Sequence, residues 1–222
     1  MTGGQESPLL SYQLANNHAG IMLIGDYTSL RLLHEVVHDV NLRSPLIEEQ
    51  DGPFLALAFD ARKAYEQERE IIVPPDDCPQ MGVRYGVKIL WPVLLLQQRM
   101  LRVSLAYLDH AASHQAITYA LESVIEQGLR ADFGSNGQSV VDQWRRLTPR
   151  HSSDFEKLRS RGALFCTWSK SARKRNFAEL LASFDPMFEL MHDLRAESGQ
   201  LGFLSPEVLD SWAHAQWADP RM

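Results

Sequence analysis

Residues 83–92 read Val-Arg-Tyr-Gly-Val-Lys-Ile-Leu-Trp-Pro, and two periodicities meet in them. Val83, Tyr85, Val87 and Ile89 alternate with Arg84, Gly86 and Lys88, the period-two signature of a half-buried strand. From Pro92 onward the apolar spacing becomes helical, with proline at a favoured first position. The sequence is therefore expected to change from strands to helices at this point. Ile71-Ile72-Val73, before Pro74-Pro75, reads as the antiparallel neighbour of the strand. Upstream, residues 11–15 and 20–25 flank the turn-prone Asn16-Asn17-His18-Ala19 and predict a hairpin. A helix capped by Thr28 or Ser29 follows to about Leu42, stopped by Ser44-Pro45. Residues 53–70 fit a helix opened by Pro53 marginally better than a strand.

Beyond Pro92 the helical pattern runs to about Gln127, with Gly128 as a stop and a break near Asp109 as the alternative. Ser153-x-x-Glu156 forms a capping box for a short helix ended by Gly162. Further helices are expected around 173–184, from Asp185-Pro186 to Gly199, and from Ser205-Pro206. The fold class is α+β: a small antiparallel sheet with a helix over 1–91, then a mainly helical bundle over 92–222, packed as one continuous domain.

At 222 residues with 45% hydrophobic and 23% charged side chains, the chain has ordinary globular composition. The two cysteines, Cys78 and Cys166, lack metal-type spacing and suggest reduced thiols in a cytosol. The first residues show no signal-peptide pattern, and the longest apolar run, Ile89–Leu96, contains Pro92. A cytoplasmic protein without a membrane span is expected. The net charge of −6 is segregated: 9 basic and 16 acidic residues over 1–128, 11 and 4 over 129–175, 2 and 8 over 176–222. The basic stretch holds Arg145, Arg146, Arg150, Arg159, Arg161, Lys170, Arg173, Lys174 and Arg175. Without a nucleic-acid motif around them, these fit neutralisation by acidic neighbours better than a phosphate surface. A homo-oligomer, in which they face the acidic stretches of a second copy, follows from this pattern. Trp212 and Trp217 make the C-terminal end amphipathic and suited to clasping such a copy.

One motif carries possible chemistry. Residues 34–38 read His-Glu-Val-Val-His, which resembles the zincin signature over these residues alone. The resemblance implies His34 and His38 as zinc ligands and Glu35 as the base that polarises water. Helical spacing of four places both imidazoles on one face. Against this, Leu30, Leu32, Leu33, Val36, Val37 and Val40 fill the opposite half of the helix, which leaves the histidines outside with Arg31 and Asn41. Arg31 offers Glu35 an ordinary ion pair. Third-ligand candidates by position are Asp60, Glu66, Glu68 and Glu70. His110 and His114 form a second pair in a seam with Val103, Tyr107, Ile117 and Leu121, and a four-histidine site would need the two helices face to face. No Gly-rich phosphate loop or nucleophile elbow is present. The expectation is a non-catalytic binding or self-associating domain with no cofactor; the alternative is a zinc-dependent hydrolase using 34–38. The sequence leaves the identity of any small-molecule ligand open.

Overall fold

The computed structural model describes residues 9–74, 76, 82–149, 153–199, 202–220 and 222, with the side chains of 153 and 154 outside that set. Alternating apolar residues build the sheet as anticipated. Strands β1 (Leu10–Leu14) and β2 (Gly20–Gly25) form the hairpin, with Leu10 opposite Gly25 and Leu14 opposite Ile21. The turn between them places Asn17 and His18 in left-handed conformations, with φ of 60° and 54°. Strand β4 (Arg84–Leu90) pairs with β2 on one side and with β3 (Glu70–Ile72) on the other, giving the all-antiparallel order β1-β2-β4-β3.

Helix α1 (Tyr27–Arg43) follows β2. Its cap is neither Thr28 nor Ser29 but Asp26, whose carboxylate accepts the Ser29 N–H at 2.7 Å. An anionic cap also opposes the positive end of the helix dipole, which a hydroxyl cannot do as well. Residues 53–70 resolve as helix α2 (Ala56–Tyr65), which starts past Pro53. The Pro53 carbonyl instead accepts from the buried Gln97 amide at 2.8 Å.

The long pattern after Pro92 divides into α3 (Trp91–Leu105) and α4 (Ala112–Phe133), broken where the alternative reading placed it. Gly128 does not end α4. It lies in the helix because a Cβ there would meet the Trp91 ring and the Ile21 side chain. The stop is Gly134, at a φ of +56°. Helix α5 (Gly137–Arg146) leads to α6 (Ser153–Thr167), α7 (Lys170–Ala182), α8 (Phe188–Glu197) and α9 (Pro206–Ser211). Gly162 sits inside α6 rather than at its end. The capping box at Ser153, together with Pro75, Cys78 and Arg150, falls outside the described residues or side chains. Ser169 and Ser205 cap α7 and α9 through their hydroxyls.

One continuous hydrophobic cluster joins the two halves. Ile21, Leu23, Val87 and Ile89 point from the sheet into it, and Leu30, Leu33, Val36, Val37 and Val40 meet them from α1. The alternate residues Met22 and Ile24 are only half-buried and Lys88 is exposed, as the two-residue period of a one-sided sheet requires. Among the described residues, no helix is long and apolar enough to cross a membrane.

Candidate functional site

The apolar period of α1 dictates where its histidines point. With Leu33, Val36 and Val37 fully buried, His34, Glu35 and His38 are turned outward, Glu35 and His38 exposed and His34 half-covered. The cover is Tyr65, from the last turn of α2. Its hydroxyl lies 3.5 Å from His34 Nδ1 and its ring edge-on at 6.0 Å, while Tyr27 packs edge-on against it at 5.3 Å. The two imidazoles are 5.9 Å apart, centroid to centroid. Burial, then the neighbouring His38 and Arg62, hold His34 below the usual histidine range, against a smaller pull from Glu35 and Glu66.

Glu35 is engaged elsewhere. Its carboxylate accepts from Arg31 Nε at 2.8 Å, with both side chains about half exposed. Of the third-ligand candidates, Glu66 pairs with Arg62 at 3.5 Å. Asp60 lies near Arg69 and Lys63, and burial raises its carboxyl above the usual range. Glu68 and Glu70 are exposed. Among the described residues, no three His, Cys, Asp or Glu side chains are grouped to hold a metal ion. A catalytic zinc takes three protein ligands and an open position, and the described side chains assemble no such set around His34 and His38. Asn41, expected on the outer half, is buried and donates to the Gln50 carbonyl at 2.8 Å.

The second histidine pair is corrected by the helix break. Residues 106–111 are not helical, so the inward seam over Val103–Leu121 is interrupted and Tyr107 is exposed. His110 lies in the connection, its Nδ1 donating to the Leu108 carbonyl at 2.6 Å and its Nε2 2.7 Å from the Gln115 amide. His114, in the first turn of α4, is half-buried. The four histidines do not converge.

Much of the basic stretch is used inside the chain. Arg130 and Arg145 both pair with Glu126, at 2.7 and 2.6 Å. Lys157 and Arg161 donate to the carbonyls of Phe184 and Ser183, and burial lowers Arg161 to about 10. Arg173 is 2% exposed. It donates to the carbonyls of Phe165, Cys166, Asn17 and Pro220 and stacks 4.8 Å from the Phe165 ring. It therefore belongs to no phosphate surface: it ties the end of α6 to the hairpin turn and to the C-terminal tail.

Two features escaped the sequence. Buried Asp132 accepts from Trp91 Nε1 and bonds His18 Nδ1, both at 2.8 Å, a polar junction between hairpin turn, α3 and α4. The other is α8. Phe188 is its only buried residue, whereas Met187 before it is 52%, Leu190 50%, Met191 44% and Leu194 51% exposed. Met187 and Met191 also line a groove of about 380 Å³, together with Leu96, Leu181, Phe184 and Phe188 and the charged Arg146, Asp185 and Arg195. The spacing 187, 190, 191, 194 is a helical stripe legible in the sequence, but nothing in one sequence distinguishes a stripe turned inward from one turned outward.

A family model, described as Domain of unknown function (DUF6904), matches residues 10–198, and the chain belongs to that family. No curated protein and no solved structure matches the chain.

Proposed function

We propose that this member of the family is a non-catalytic, self-associating domain, and that α8 is the surface through which two copies meet. The observation that supports it is the outward stripe of Met187, Leu190, Met191 and Leu194, two of whose residues line an open groove of mixed apolar and charged side chains. Methionine-rich helical faces of this kind suit helix-in-groove docking. Charge favours a second copy as the occupant. The stripe's helix carries Glu189, Asp193 and Glu197 from the acidic stretch. Arg146, from the basic stretch, stands exposed at the groove with no ion pair among the described residues. With Arg130, Arg145, Arg161 and Arg173 engaged internally, apolar burial rather than charge drives the contact.

The strength follows from area. Covering a half-exposed Met or Leu contributes about 1 kcal/mol, so eight of them in a symmetric pair give about 8 kcal/mol. Association costs about 4–15 kcal/mol. The groove must supply the remainder, and the dimer is concentration-dependent rather than obligate. A two-fold contact brings the middle of the stripe near its own mate. Leu190→Cys in a Cys78→Ser background should therefore form a disulfide-linked dimer under mild oxidation. A purely monomeric product, from protein that also sediments as a monomer, sinks the proposal.

A second reading, a zinc-dependent hydrolase, draws support from the adjacent imidazoles of His34 and His38, 5.9 Å apart on the outer face of α1. It requires a further ligand from outside the described residues or from a second copy. Zinc at one per chain after dialysis, lost in both His34→Ala and His38→Ala, would establish it over the first. On the first reading zinc stays well below one per chain and no cofactor co-purifies.

A further inference from the structure

The segment after α8 packs against α6 and α7 and lies outside the residues that match the family model. Residues 10–198 match the family model, and α9 with its tail follows them. The α6–α7 side contributes four specific features. Gly162, in the interior of α6, is a residue that weakens a helix relative to alanine, and a Cβ there would collide with the Trp217 ring. The glycine is a notch for the indole. The carbonyl of Arg159, one turn earlier, accepts the Trp217 Nε1–H at 3.1 Å. Arg173, enclosed between α6 and α7, directs one donor to the Pro220 carbonyl at 3.1 Å, and Glu179 accepts the Leu204 N–H at 2.9 Å.

The occupant side joins the hydrophobic core at few points, Leu204, Leu209 and the half-buried Trp212. Leu204 and Leu209 are its fully buried anchors, Phe203 rests edge-on against Trp168 at 6.1 Å, and Trp217 is seated yet 39% exposed. Phe203, Glu207, Val208, Asp210, Ser211, His214 and Gln216 face solvent. Few anchors on an otherwise exposed segment mark the low-stability end of a structure, the part that opens locally first.

We infer that this face is a docking groove for an amphipathic segment of the form found at 202–220, filled here by the chain's own tail and open to exchange with the tail of a second copy. The groove residues Arg159, Gly162, Arg173 and Glu179 include none of the stripe residues Met187, Leu190, Met191 and Leu194, so the inference stands whether or not that stripe associates. A tethered ligand competes at an effective concentration of about millimolar, which keeps the groove closed to free peptide until the tail is weakened.

The test uses the full chain and a fluorescently labelled synthetic peptide of residues 202–222. A Leu209→Ala/Trp217→Ala chain should bind the peptide saturably and at least about ten-fold tighter than the unaltered chain does. The same peptide carrying Trp217→Ala should not bind, and adding Leu194→Glu to the chain should change nothing. Absence of saturable binding to a doubly substituted chain with unaltered circular dichroism overturns the inference. Should that chain fail to fold, hydrogen exchange on the unaltered protein decides. Amides of 204–212 should open faster than those of β2 and β4, and equal protection overturns the inference.

Discussion

Helices α1 and α8 present opposite lessons. Helix α1 spells a catalytic motif, yet its apolar half is sealed in the core and its polar half is satisfied locally: Arg31 holds Glu35, Arg43 holds Asp39 at 2.8 Å, and Tyr65 covers His34. Helix α8 spells nothing, yet one buried phenylalanine secures it while a methionine–leucine stripe faces water. A motif identifies what a set of side chains could do. Unmet apolar surface identifies what the fold has left undone, and at α8 the second is the more informative.

The comparison breaks most visibly by placing charge on each apolar face. Val37→Asp buries an unpaired carboxylate in a fully enclosed position and should cost about 4 kcal/mol or more. A urea-unfolding midpoint close to the parent would show that α1 is not anchored as described. The polar side of α1 should tolerate far more. His34→Ala and His38→Ala should each change stability by less than about 1 kcal/mol, checked by the same unfolding curves, and a larger loss would mean that the histidines hold something. Smaller still, Glu35→Gln should cost a few tenths of a kcal/mol, the worth of a solvent-screened i,i+4 pair, and that cost should vanish in an Arg31→Ala background.

The smallest effect is a pH dependence. Because His34 titrates below its unfolded value, the unfolded chain takes up its proton first as pH falls. The contribution of His34 is fully present above about pH 6.5, the unfolded value, and is lost as pH drops through the lowered folded value. Subtracting the stability profile of His34→Gln from that of the parent should leave a slight slope of this sign below neutrality. A difference that rises toward acid would contradict the burial of the ring.

The sequence exposed whatever depends on local period. The hairpin, the pairing of β3 with β4, and the change to helix at 91–92 all follow from alternation and from Pro92. It hid what depends on contacts between distant segments. Gly128 and Gly162 read as helix stops because a glycine's usual local role is to end a helix, whereas each actually makes room for a tryptophan remote in sequence. Arg173 read as surface charge because its four carbonyl partners lie on three separate segments. At the candidate site, the outward direction of His34 and His38 was legible from the spacing of Leu33, Val36 and Val37. The cover by Tyr65 was not, since it depends on how α2 folds back across α1.

The central claim is that α8's outward stripe is a self-association surface, and sedimentation of the unaltered chain beside Leu194→Glu tests it most directly. The parent should form a concentration-dependent dimer in the micromolar range that salt weakens only modestly, since apolar burial is not screened. Leu194→Glu should stay monomeric throughout, with its unfolding free energy within about 0.5 kcal/mol of the parent, as for a surface position. A strictly monomeric parent, or a dimer that survives Leu194→Glu unchanged, would contradict the account.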